Sequence, residues 1–318
     1  MRALVSVVSL FFLGIQAHSE WSYSGDDGVA ESQWSEKYPS CGGERQSPID
    51  VKTEEVKFNP TLKPLRMVNY EEENLEFTMT NNGHTVSIDL PPFMHIETSD
   101  GTVFNSKAFH FHWGGQDSEL SGSEHTIDGT RSIMEAHFVH FNNDYGTYEN
   151  AKDQKNGLAV VALLFKIDEY AENTYYSDII SALKNIEKPG ETTPLKDTTI
   201  KNLLPKDVRY YYTYQGSLTT PPCTENVQWF VLRDKVTLSK AQVLTIENSV
   251  MDHNNNTIQN GYRSTQPINR RVVEANFPNF PDMFFSNRFY LKNLQKEFLQ
   301  SRKQKKTKKS NRHFLSRK

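Results

Sequence analysis

The sequence predicts a mostly β, α+β domain: a mainly antiparallel twisted sheet with a few short peripheral helices. Three observations carry this. Short runs of alternating polarity between 56 and 103 are separated by Asn, Gly and Pro clusters, the pattern of strands joined by turns. Longer runs at 107–113 and 132–141 alternate in the same way. Before the C-terminal segment, only two stretches, 177–188 and 239–248, carry helical spacing.

Taken in order, Met1-Arg2, an apolar run over 3–15 and a small residue at Ala17 have the layout of a secretory signal peptide, expected over 1–17. Its apolar run is too short to span a membrane, and no other stretch reaches the roughly 20 apolar residues required, so the mature chain is expected to be soluble and secreted. An aromatic loop follows, then 41–50 leads into the first strand, with Ser47-Pro48 open to either isomer. The runs 75–79 and 84–90 flank Asn81-Asn82-Gly83, a hairpin signal. Strand 107–113 is followed by a polar loop over 114–122 and then strand 132–141. The near-continuous Leu/Ala/Val/Phe run at 157–167 reads as a strand buried on both faces. Ile179, Ile180, Leu183 and Ile186 mark a helix stopped by Pro189-Gly190. Strands at 208–214 and 226–232 flank the Gly216–Cys223 stretch, and Ser239 is placed to cap the second helix.

With 318 residues, 36% hydrophobic and 12% aromatic, the chain can bury a sizeable core. The final stretch 301–318 holds nine Lys/Arg and no acid, leaving 27 basic against 39 acidic residues elsewhere, a net −12. Such a tail reads as a solvated segment or as electrostatic docking to acidic glycan or mucin, preceded by an amphipathic stripe of Tyr290, Leu291, Leu294 and Phe298. An acidic body on a secreted chain argues against nucleic acid. Cys41 and Cys223 are either a disulfide of an oxidising compartment or two buried thiols. Asn255-Asn256-Thr257 is a glycosylation sequon.

The chemistry lies in Phe109-His110-Phe111-His112-Trp113. On a strand alternate side chains share a face, so His110 and His112 project together. Alone, His-x-His reads more readily as a half-buried strand. Glu135-Ala136-His137 on the next long strand changes the balance, because an antiparallel neighbour lets His137 close a three-nitrogen zinc site whose fourth position is left for water. Glu135, two residues before His137 on the same face, can accept that ring's second N–H. No His-Glu-x-x-His helix is present, which argues against a zinc protease.

These motifs resemble an α-type carbonic anhydrase from about residue 21 to 277. The shared motifs are Gly-Glu-Arg-Gln-Ser-Pro-Ile-Asp at 43–50, Asn-Asn-Gly-His at 81–84, Phe-His-Phe-His-Trp-Gly at 109–114, Ser-Glu-His-Thr at 123–126, Glu-x-His-x-Val-His at 135–140 and Gly-Ser-Leu-Thr-Thr-Pro-Pro at 216–222. The signal peptide, the cysteine pair and the tail make the chain most similar to that family's secreted, salivary-type members. The resemblance implies a large central sheet with a conical cleft, and Zn2+ held at its floor by His110, His112 and His137. It implies reversible hydration of carbon dioxide to bicarbonate by a zinc-bound hydroxide. Thr219 would orient the hydroxide and Glu124 would accept the Thr219 hydroxyl hydrogen. Val139, Val160, Leu218 and Trp229 would form the apolar substrate wall, with Thr219 and Thr220 beside it. His84 would carry the proton to buffer, with Tyr23 and Asn82 ordering the water between. A catalytic domain over 18–280 and a C-terminal segment over 281–318 are expected. Ala108 stands where the family usually has a glutamine that supports the first zinc ligand. The competing reading is a binding module without catalysis, which normally shows as a missing ligand histidine; all three are present.

Overall fold

The computed structural model describes residues 20–278 apart from 26–27, 116–120 and 169–170. The expected signal peptide and basic tail lie outside the described residues. Within them, Phe77–Asn81 (β1) and Val86–Asp89 (β2) form the anticipated hairpin, Asn81 facing Val86. Its turn is longer than a two-residue Asn-Gly turn. Asn82 Oδ1 accepts from the His84 and Thr85 N–H groups, both at 2.9 Å, and Gly83 takes φ +88°, a conformation open to glycine at little cost.

Val103–Trp113 (β3), Met134–Asn142 (β4), Leu158–Ile167 (β5), Tyr211–Gly216 (β6) and Val227–Leu232 (β7) complete the centre of a 13-stranded sheet. Its spatial order runs β1-β2-β3-β4-β5-β7-β6, with Thr192–Leu195 on the outer side of β1. Neighbours are antiparallel except β5 and β7, which run parallel. A parallel pair needs a long crossover. The connection here holds the helix Ser177–Ala182, its 3-10 extension Leu183–Asn185, and β6.

The expected helix over 177–188 is therefore shorter than its periodicity suggests. The last turn tightens to 3-10, as helix ends often do, and Ile186 leaves helical geometry at φ −134° while remaining fully buried. The second helix spans Lys240–Glu247, and Ser239 and Gln242 form a capping box at its start.

Alternation along β3 divides two cores. Phe109, Phe111 and Trp113 pack with Phe138, Val161, Leu163 and Phe165 on one face. On the other face Val160, Ala162, Leu164 and Trp229 form the second core, with Val139 and Leu218 against it. β5 serves both cores, its alternate residues divided between them, as its unbroken apolar sequence implies.

Cys41 and Cys223 are joined, 182 residues apart in sequence, and pack against buried Trp34. Ser47-Pro48 and Pro221-Pro222 are cis. The disulfide ties the 217–224 loop, closed by Leu218 N–H to Thr224 O and Cys223 N–H to Thr220 O, to the N-terminal segment. Reduction is predicted to loosen this loop first, so activity falls before near-ultraviolet circular dichroism reports loss of the sheet. Replacing both cysteines with serine should destabilise the fold by about 3–5 kcal/mol in a denaturant titration. Simultaneous loss of activity and sheet on reduction would count against the loop-tethering role.

Candidate metal centre and active site

Register builds the site. On the paired strands β3 and β4, His137 lies directly opposite His110, and Glu135 directly opposite His112. The alternation that sends Phe109 and Phe111 into one core sends the histidines to the other face. The pairing shifts just beyond, between Val139 opposite Ala108 and His140 opposite Ser106, which leaves Lys107 as the extra residue of a bulge. Ring nitrogens of His110, His112 and His137 lie within 4.8 Å of one another.

The outer partners determine which ring atoms face inward. His112 Nδ1 lies 2.8 Å from the Gly261 carbonyl oxygen, which only accepts, so Nδ1 carries the proton and Nε2 is bare. His137 Nε2 lies 2.7 Å from Glu135 Oε1, so Nε2 donates and Nδ1 is bare. The two bare nitrogens face each other at 3.1 Å. Burial favours the neutral form of His110 and His112: it pulls the His112 pKa below its ordinary value, and it pulls that of His110 far below, reinforced there by His112 and His137. Glu124 Oε2, fully buried and without a hydrogen-bond partner, stands 3.5 Å from His112 Nε2 and 3.8 Å from His137 Nδ1. Lone pairs and a carboxylate thus converge with no donor among them. A cation relieves that repulsion, and a neutral three-imidazole donor set suits zinc.

A second group of possible ligands, His125, Glu135 and His137, is a hydrogen-bond chain. Glu135 Oε1 accepts from His137 and from His125 Nδ1 at 2.6 Å, and Oε2 accepts from the backbone N–H of Glu124 and His125. Burial alone would raise the Glu135 pKa, but His125 and His137 more than offset it and hold the carboxyl well below its usual range. His125 is thus a partner of Glu135 through both its ring and its backbone N–H.

Val139, Val160 and Trp229 are register partners across β4, β5 and β7, forming an apolar row beside the histidines. The Trp229 ring centre lies 4.8 Å from that of His137. Thr219 is buried, but its hydroxyl makes no hydrogen bond to Glu124. Here the geometry departs from expectation: Glu124 Oε1 accepts the Arg263 N–H at 2.8 Å, while Oε2 turns toward the ring nitrogens. His84 stacks flat on Trp21, centres 3.9 Å apart, and with Tyr23 and Gly261 lines a cavity of about 750 Å³. Burial, with Glu124 and Glu31 adding to it, raises the Tyr23 pKa well above the usual phenol value, so the hydroxyl stays protonated. Asn82 is exposed and commits its carbonyl oxygen to the turn. Asn255 is exposed in a turn with φ +61°.

Two contributors have no sequence signature. Gly261 supplies only a carbonyl. Arg263 is buried, its guanidinium donating to Gln46 Oε1, Ser47 O and Cys41 O while its backbone N–H holds Glu124. That one residue links the disulfide segment to the carboxylate beside the histidines.

His110 lacks such support. Ala108 provides no acceptor, and among the described residues no side chain or backbone group bonds the His110 ring. Ala108→Gln is predicted to slow zinc loss to a chelator by about tenfold, a figure carried over from outer partners in metal sites generally, this family's included. Unchanged release would show that His110 needs no such partner.

The sequence model of eukaryotic-type carbonic anhydrases matches residues 29–277. The chain is 87% identical over 318 residues to carbonic anhydrase 6 of Mus musculus, covering all of both chains. It is 54% identical to carbonic anhydrase 6 of Homo sapiens over 281 residues, 88% of this chain and 91% of that one. Carbonic anhydrase 12 of Homo sapiens is 37% identical over 266 residues, 81% of this chain and 73% of that one. With three histidines already brought to one face by the β3–β4 register, these matches place the chain in the eukaryotic-type carbonic anhydrase family.

Proposed function

We propose that the chain is a secreted, zinc-dependent carbonic anhydrase that interconverts carbon dioxide and bicarbonate. The observation that carries this is the pair of bare nitrogens on His112 and His137, whose outer hydrogen bonds leave both lone pairs facing a common centre. Zinc bound there supplies Lewis acidity that lets water ionise near neutral pH, behaviour for which this family is itself the standard example.

The chain's own residues do the rest. His110, His112 and His137 hold the metal, and Glu135 and the Gly261 carbonyl keep two of the rings in the required tautomer. Val139, Val160, Leu218 and Trp229 present an apolar wall suited to an uncharged substrate. Thr219 accepts a hydrogen bond from the attacking water and aims it. That role requires the Thr219 hydroxyl hydrogen to be held elsewhere, and Glu124 Oε2, without a hydrogen-bond partner, would accept it on turning from the ring nitrogens. Thr220 completes the substrate loop. His84 receives the proton and passes it to buffer, since an imidazole titrates near neutrality, and Tyr23 and Asn82 order the intervening water.

Secretion accords with the Cys41–Cys223 disulfide. Among the described residues no helix is long and apolar enough to cross a membrane. The organisation that fits is a signal peptide over 1–17, the catalytic domain over 18–280 and a C-terminal segment over 281–318. Asn255 carries glycan on this reading, and the nine basic residues of the tail contact acidic glycan or mucin.

Stopped-flow carbon dioxide hydration on the purified mature protein, with zinc quantified in the same sample, tests the assignment. Fast hydration at about one zinc per chain, abolished by His112→Ala, is the expected outcome. Full zinc occupancy without hydration would overturn it. Thr219→Ala and Glu124→Gln should each lower turnover by about a hundredfold, as misplacement of reacting groups does, with zinc content unchanged. Loss of zinc in either variant would reassign that residue to metal retention.

A further inference from the structure

The opposite face of the sheet carries a cavity of about 640 Å³ that the hydration reaction does not use. Phe104, Tyr211 and Phe230, members of the core on the side away from the histidines, form part of its wall. Thr213 and Gln228 bring polar side chains to the same cavity from β6 and β7. The volume falls in the range of small-molecule sites.

Its chemistry is selective. Among the described residues no Lys, Arg or His lines it, whereas Asp100, Asp144 and Glu274 do, so an anionic ligand is disfavoured. Two of these carboxylates already have neutral donors: Asp100 accepts from the Thr98 hydroxyl and the Thr102 N–H, and Glu274 from the Asn59 amide. Little demand for a cation is left. Gln215 donates to Gln228 Oε1, and Gln228 donates to Thr213 Oγ1 at 2.5 Å, which sets two planar amides in fixed orientation. Among the described residues, the Asp144 carboxylate and the Asn156 amide make no hydrogen bond.

Fixed amides and a free carboxylate match a ligand whose hydroxyls each donate and accept, the buried aromatic residues beneath forming only the floor of the cavity. A peptide adding as a strand needs an open sheet edge rather than a sheet face. We infer that this cavity is a binding site for a short neutral oligosaccharide, separate from the metal centre. Pre-ordered amides reduce the entropy lost on binding, and the uncommitted Asp144 oxygens offer charge-assisted acceptors to hydroxyl donors.

The test is saturation-transfer NMR on the zinc-loaded full chain with maltotriose, lactose, chitotriose and mannotriose, and with sialyllactose and spermidine as charged controls. Transfer from at least one neutral sugar is expected, weakened about tenfold by Gln228→Ala and by Asp144→Asn, the scale of one lost hydrogen bond. Carbon dioxide hydration measured in the same samples should be unchanged. Asp144 is exposed, so its variant keeps the test valid even if Gln228→Ala disturbs the sheet. No transfer from any neutral sugar, binding of spermidine or sialyllactose alone, or binding indifferent to both variants would overturn the proposal. None of those outcomes bears on the hydration reading, which the parallel assay reports independently.

Discussion

His137 faces His110 across one antiparallel pairing, and Glu135 faces His112 one step along it. A slip of one residue would exchange faces for every side chain on the strand. It would bring Phe109 and Phe111 to the cleft and drive two imidazoles into an apolar core. The aromatic face therefore does more than fill space. The Phe109 and Phe138 rings stack with centres 4.7 Å apart, and the cost of exposing them pins the register that the histidines depend on. The metal site is in this sense held from behind.

The next layer fixes what register leaves free. A strand position sets where a ring starts but not which nitrogen faces inward. Glu135 and the Gly261 carbonyl make that choice for His137 and His112, and burial favours the neutral form of His112. The result is a cluster of electron-rich atoms short of positive charge, with Glu124 adding to the imbalance. Free energy lost in assembling such a cluster is recovered when a cation binds, which couples metal binding to the folded state. Among the described residues His110 is the one ring of the three without an outer partner, the residue two before it being alanine.

A lobe remote in sequence completes the cleft. Arg263 bonds the backbone near Cys41 and Ser47 through its guanidinium and Glu124 through its amide, and the disulfide joins the same segment to the loop carrying Thr219. The histidine cluster, the Glu124 carboxylate and the loop carrying Thr219 are thus cross-tied by groups outside the cluster. The reverse face of the sheet is left to a polar cavity whose amides are equally constrained.

The period-two alternation of 107–113 and 132–141 was enough to place His110, His112, Glu135 and His137 on one face, because strand geometry is local and repeats every two residues. The unbroken apolar run of β5 likewise foretold burial on both sides, and Ser239 its helix cap. Motif resemblance carried the remaining roles, and the family matches agree with its assignment of the chain. Tertiary structure decided what depends on partners distant in sequence. Arg263 reaches Glu124 across 139 residues and Gln46 across 217, so neither contact leaves a local pattern. The Glu124 carboxylate turned toward the imidazoles rather than toward Thr219, and helix 177–188 gave up its last turn so that Ile186 could stay buried. Sequence determined which side chains share a surface, since backbone periodicity dictates that. Only the fold decided which of their atoms meet, because hydrogen-bond partners and ring tautomers are set by whatever the rest of the chain brings alongside.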